Sequence, residues 1–205
     1  MDMNRWLVAA LAACAVLRVA AQTAPAADLG EVFKDPAKWA VSADAFVGEF
    51  QSFGFRFVDG KQTAVSSQRQ QLRFLGLEVC EARVYFDAGA VRRVELSVYN
   101  KGDAGAKDRE TFEALVGTLK SKISEFLQDP GMTGKTSNDR PNYFVRRYQW
   151  IKKSPGVQLE AAYVEPHRSG GKSVEYSAEF ITVLMVPIKA GGSGVSTMGG
   201  GVTTQ

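Results

Sequence analysis

The chain has 205 residues, a formal net charge of +3 and 45% hydrophobic residues, including twelve Phe, six Tyr and three Trp. That aromatic content suits a hydrophobic core, and so small a positive surplus excludes a nucleic-acid binder built on a basic face. Two cysteines and one histidine exclude a His/Cys zinc site, and the acids lack EF-hand spacing, so neither metal nor cofactor is expected.

Residues 1–21 read as an export signal. Arg5 closes a short charged region, Trp6 to Leu17 form an apolar run of twelve, and Val19-Ala20-Ala21 offers small residues before a cut at Gln22. Twelve residues fall short of the ~20 that a bilayer span needs, so no integral membrane span is expected. Leu11-Ala12-Ala13-Cys14 resembles a bacterial lipobox, which would anchor the chain through Cys14; the apolar run continuing through Leu17 speaks against it. Cleavage removes Asp2, Arg5 and Arg18, leaving 184 residues with a charge of +2 and Cys80 as the only cysteine. The expected location is the periplasm or the cell exterior. An internal disulfide is then impossible, and a core must stabilise one domain.

Residues 22–28 are expected to be a short disordered lead, and 29–53 to form two short helices. Asp35-Pro36 supplies an N-cap with proline at the first helical position. Ser42 caps a helix with Phe46, Phe50 and Phe53 on one stripe, and Gly54 ends it. From Phe55 the apolar period is two, with Asp59-Gly60 as a turn and Gln62–Gln71 as a loop or exposed edge. Leu72–Gly76 and Leu77–Phe86 read as strand. Asp87-Ala88-Gly89-Ala90 turns the chain into a strand over Val91–Tyr99, with Val94, Leu96 and Val98 on one face.

A long helix is expected over Lys107–Gln128, its stripe formed by Phe112, Leu115, Val116, Leu119, Ile123, Phe126 and Leu127. Gly131–Asn142 reads as a polar loop. Strands follow over Tyr143–Ile151 and Val157–Glu165, joined through Ser154-Pro155-Gly156, and over Val174–Ile188. The apolar end of the last, Phe180–Val186, suggests burial on both faces. Residues 190–205 form a glycine-rich flexible tail, with six glycines between Gly191 and Gly201. The fold class is therefore α+β, with one domain over 29–189: a twisted antiparallel sheet of about six strands around one long amphipathic helix.

No complete catalytic constellation emerges. Cys80 and His167 are the pair that would supply nucleophile and base, but Cys80 shares an apolar strand face with Ala82, Val84 and Phe86, whereas reactive thiols sit beside cations or helix N-termini. Glu78, Glu160, Glu175 and Glu179 could bring two carboxylates together, yet acids alternating on antiparallel strands mark the solvated face. Residues 129–136 and 166–173 end in GK[ST] but lack the first glycine of a phosphate loop and its strand–loop–helix context. Phe144, Arg146, Tyr148 and Trp150 interleave bases with aromatics; packed rings under arginine stems explain them without nucleic acid.

Tyr99-Asn-Lys-Gly-Asp-Ala-Gly105 is the most distinctive loop. Asn100, Gly102, Asp103 and Gly105 are its candidate ligand- or partner-contacting residues, while the same residue types also serve as helix caps and turns, with Asp103 or Asp108 capping the long helix.

Phe74–Phe86, Tyr99–Gly105 and Ala178–Val183 together resemble the N-terminal domain of exported bacterial proteins in which a C39-like, papain-type cysteine peptidase domain follows. The similarity spans about residues 29–188. It implies an accessory domain with no catalytic residue to carry over, its partner a peptidase domain or another protein ligand. The alternative is the N-terminal portion of such a peptidase, with the catalytic domain beyond residue 205.

Overall fold

The computed structural model describes residues 26–128, 131–141, 143–165, 167–169, 172–174 and 179–188. The expected export segment, the glycine-rich tail and Glu175 lie outside them. The fold is α+β, with largely antiparallel sheets. The first described element is β1 (Ala27–Asp28), upstream of the expected domain start, and three helices follow in place of the expected two: α1 (Leu29–Lys34), α2 (Pro36–Trp39) and α3 (Ala43–Phe50). Their caps are local. Asp35 accepts from the Ala37 N–H, Ser42 from the Ala45 N–H, and Gly54 closes a 3-10 turn at φ +78°.

The main sheet has eight strands rather than about six. They are β2 (Arg56–Phe57), β3 (Thr63–Ser66), β6 (Glu81–Asp87), β7 (Ala90–Asn100), β8 (Gly134–Arg140), β9 (Tyr143–Trp150), β10 (Gly156–Val164) and β13 (Phe180–Val186), in the spatial order β2-β3-β6-β7-β13-β10-β9-β8. β4 (Leu72–Phe74) and β5 (Leu77–Glu78) form a hairpin that pairs with β1 in a separate sheet, and β11 (His167–Ser169) pairs with β12 (Lys172–Val174). The Asp28 carboxylate caps α1 at Gly30 and accepts from the Leu75 and Gly76 N–H groups, fastening the β4–β5 turn to the first helix.

Two of the additional strands lie where a loop, or for Gln62–Gln71 a loop or exposed edge, is expected; β3 is neither, being paired on both sides and largely buried. β8 occupies the polar Gly131–Asn142 stretch, and β3 occupies part of Gln62–Gln71. Hydrophobic periodicity does not find β8 because its side chains are almost all exposed; the backbone ladder to β9 alone makes it a strand. The expected Leu77–Phe86 strand breaks at Val79-Cys80, where the chain passes from the small sheet to the large one.

β13 is inserted between β7 and β10, so the last strand of the domain is central. Its residues alternate between buried and half-buried, so Phe180–Val186 is buried on one face rather than both. Ile181, Val183 and Met185 join Val94 and Leu96 of β7 and Leu159 of β10 beneath the helices. A short α4 (Lys101–Ala104) leads to α5 (Arg109–Phe126), shorter than the expected Lys107–Gln128 and capped by Asp108 through the Thr111 N–H. Phe112 of α5 packs against the rings of Tyr99, Phe144 and Tyr163. Phe33, Phe46, Phe50 and Phe55 of the N-terminal region join the same core, so the helices cover one face of the sheet.

The opposite face is polar. One cross-strand row runs Arg83, Glu95, Leu184, Gln158 and Gln149, and the next Glu81, Ser97, Thr182, Glu160 and Arg147. The row members are tied together by Arg83–Glu81 at 2.6 Å, Arg147–Glu160 at 2.9 Å and Gln149–Gln158 at 2.9 Å. The two partly exposed ion pairs contribute about 0–1 kcal/mol each, so they organise this face more than they stabilise the fold, whereas Gln158 is buried among its neighbours. Among the described residues, no helix is long and apolar enough to cross a membrane.

Candidate functional site

The most unusual group of polar side chains lies where β7 ends and β13 begins. The pairing of these strands shifts register between Ile181 and Thr182, so Val98 is an extra residue and Tyr99 stands opposite Ile181. The bulge sends Tyr99 to the helix side, where it is 1% exposed, and brings Glu179 beside it at 2% exposed. Lys101 Nζ donates to Glu179 Oε1 at 3.0 Å, and the Lys101 N–H donates to the Glu179 carbonyl at 3.0 Å. Tyr99 Oη is 2.8 Å from the Gly105 carbonyl and 3.3 Å from Glu179 Oε2, one proton facing two acceptors.

Burial, followed by the negative charge of Glu179 and its hydrogen bond, pushes the Tyr99 hydroxyl up to about 12. Tyr99 is therefore a neutral phenol at ordinary pH. The Lys107 ammonium stands 5.4 Å from the centroid of its ring, closing the cluster from the α5 side.

The loop residues expected to contact a ligand all gather here. Asn100 Oδ1 accepts from the Gly102 N–H at 3.0 Å and caps α4. Gly105 takes φ +75° and offers its carbonyl to Tyr99. The Asp103 carbonyl accepts from Arg69 Nη1 at 2.7 Å, fixing the turn to the β3–β4 connection. Asp108, not Asp103, caps the long helix. Each of the four thus has a structural task, while all four still present surface to solvent.

Cys80 borders this region. Its Sγ is 3.7 Å from the Val98 carbonyl, and it is 4% exposed. Burial raises the thiol above its ordinary range, and the nearby Arg69 charge opposes that rise without reversing it. The expected packing role for Cys80 is what these surroundings support. His167 lies in β11 and not in a loop; its side chain is outside the described residues. Glu78 pairs with Arg73 at 3.5 Å and Glu160 with Arg147, while Glu179 is buried, so these three described acids do not converge; Glu175 lies outside the described residues. Among the described residues no group of three His, Cys, Asp or Glu is placed to hold a metal ion.

No family model, curated protein or solved structure matches this chain. Its chemistry must therefore be read from its own geometry. Two shallow hollows of about 190 and 240 Å³ lie elsewhere, the first lined by Lys34, Phe126, Lys153 and Pro155, the second by Lys135, Thr136, Arg147 and Gln149. Neither includes Cys80 or Glu179. The second opens at the β8 edge, beside the polar face.

Around Phe144, the interleaved bases behave as packing expects. Phe144, Tyr148 and Trp150 are buried, and the Arg146 guanidinium sits 3.9 Å above the Phe144 ring while pairing with Asp139 at 2.9 Å. Those rings are not available to stack on bases. Sequence reasoning missed Glu179, assigned to the solvated face; it shares the parity of the buried Ile181, Val183 and Met185 and so lies on the helix side, where the bulge in β7 brings Tyr99 and Lys101 to it. The signal was present in part: Tyr99–Gly105 is the loop the sequence marks as distinctive, and Tyr99, Lys101 and Gly105 all belong to this cluster.

Proposed function

We propose that this chain is an exported, non-catalytic binding domain that works as an accessory to another protein. The observation that supports it best is the one-sided cover of the main sheet. A polar face of paired guanidinium, carboxylate and carboxamide groups stands without a described helix over it, and its charged members Arg83, Glu95, Arg147 and Glu160 are 24–45% exposed. A folded protein partner can exchange these pairings for its own at modest desolvation cost.

The groups that could drive covalent chemistry are already engaged. The Cys80 thiol is buried and protonated, Tyr99 is neutral, and Glu179 is held by Lys101. The resemblance of Phe74–Phe86, Tyr99–Gly105 and Ala178–Val183 to domains preceding papain-type peptidases supplies the class of partner, a cysteine peptidase domain.

Two measurements test this reading. Purified protein is assayed against peptide, ester and glycoside substrates beside a Cys80→Ala control; turnover abolished by that substitution would replace the binding module with an enzyme. Calorimetric titration against a papain-type peptidase domain is then expected to show binding that Arg83→Glu with Arg147→Glu weakens. Expression with the native leader should yield a chain starting at Gln22.

A further inference from the structure

The two edges of the main sheet are unequal. At one end β2 contributes only Arg56–Phe57. At the other, β8 runs seven residues, is paired to β9 along its whole length, and has six of the seven residues exposed. It contains neither proline nor a register shift against β9. A long, regular edge with a free row of backbone donors and acceptors is a template for another strand unless its charges prevent it.

The charges here do so for most strands but not for one. Gly134-Lys-Thr-Ser-Asn-Asp-Arg140 is complementary to itself when run antiparallel about Ser137. In that register Lys135 faces Asp139 of a second copy, twice by symmetry, while Thr136 faces Asn138 and Ser137 faces its own copy. Moving the axis by half a residue sets Lys135 against Arg140 in one direction and against Asn138 in the other. Only the Ser137-centred pairing satisfies both charges.

The surroundings fit the same register. Lys135 and Asp139 lie opposite Tyr148 and Phe144 of β9, on the helix-bearing face. Asp139 is held by Arg146 at 2.9 Å, and Arg146 also reaches Glu113 of α5 at 3.5 Å. Asp139 and Glu113 stand here with the guanidinium groups of Arg146 and Arg109, the latter joined to Glu113 at 3.1 Å, and the incoming ammonium meets the Asp139 carboxylate itself.

We propose that the chain forms an isologous dimer by antiparallel pairing of β8 with β8 of a second copy, centred on Ser137. The two sheets become one continuous sheet with both helix layers on the same side. The polar face is doubled in width, so the dimer goes beyond the binding role and does not depend on it.

Sedimentation velocity of the full chain over a concentration series is expected to show a monomer–dimer equilibrium. Lys135→Glu, an exposed change that leaves the fold intact by circular dichroism, is expected to weaken dimerisation about tenfold or more, because both ion pairs become repulsive. Ser137→Cys is expected to cross-link under mild oxidation. Thr136→Cys alone is expected to stay reduced and to cross-link only when mixed with Asn138→Cys. A chain that stays monomeric at its highest soluble concentration, with Ser137→Cys reduced, overturns the proposal. So does a dimer indifferent to Lys135→Glu, or one in which Thr136→Cys cross-links to itself as fast as Ser137→Cys.

Discussion

Lys101→Met probes the buried cluster most directly, because the two partners of the Lys101–Glu179 pair are unequally buried. The Lys101 side chain is 31% exposed and Glu179 2%. Removing the ammonium strands a carboxylate in the interior with Tyr99 as its remaining side-chain donor. Breaking a buried pair this way costs about 3–5 kcal/mol, and the partial exposure of Lys101 places the cost at the low end, about 3 kcal/mol. Glu179→Gln keeps the shape, leaves an acceptor for Tyr99 or Lys101, and lets the lysine turn into water, for about 1–2 kcal/mol. Lys101→Met combined with Glu179→Gln should cost little more than Glu179→Gln alone, giving a coupling of about 2 kcal/mol. Guanidinium denaturation followed by the fluorescence of the buried Trp39 and Trp150 reads all three. In heat, Lys101→Met should lower Tm by roughly 6–12 °C for a domain of this size. Additive costs, or a Glu179→Gln variant hurt more than Lys101→Met, would refute the account of Glu179 as the side that depends on its partner.

Three further outcomes are expected. Tyr99 is raised in the folded state, so its contribution is complete below the unfolded value of about 10 and is lost as pH rises through about 12; denaturation at alkaline pH should show a loss of about 2 kcal/mol that Tyr99→Phe makes smaller. Cys80, buried and with its thiol pushed up, should be alkylated slowly in the native protein and rapidly in denaturant, and fast native modification at neutral pH would contradict its packing role. The Asp108 carboxyl is held low by the Thr111 N–H and hydroxyl, so it stabilises above the unfolded Asp value of about 3.9, and that stability is lost as pH falls through its depressed value. The destabilisation by Asp108→Ala, measured by denaturation, should accordingly fade in acid; a loss that persists at low pH would point to some role other than the cap.

Much of the fold was legible in local chemistry. Asp35, Ser42 and Asp108 begin helices because short acceptors beside free N–H groups cap them in any context. The turn between β6 and β7 follows from Ala88 and Gly89, both at positive φ, as a tight hairpin demands. The stripe from Phe112 to Ile123 marked the buried side of α5 because apolar residues spaced three and four apart fall on one face of a helix, and that face packs on the sheet. At the candidate site only the local turn was legible, since Asn, Gly and Asp at a strand end are turn formers, and Asn100 does cap the short α4 that ends at Gly105.

What the sequence could not contain was set by long-range pairing. β8 has no apolar alternation, so only the presence of β9 makes it a strand, and with it an eight-stranded sheet with an open edge. β13 reads as an apolar run, but its place between β7 and β10 decides that one face is buried and the other looks outward. Glu179 is the sharpest instance. By itself it is an acid on an alternating strand; its parity with Ile181, Val183 and Met185 places it on the buried face, and a single extra residue at Val98, some eighty positions earlier, turns Tyr99 and Lys101 onto it and makes it a paired carboxylate. Caps and stripes depend on neighbours a turn away and are written locally, whereas register and burial depend on strands that meet only when the chain has folded.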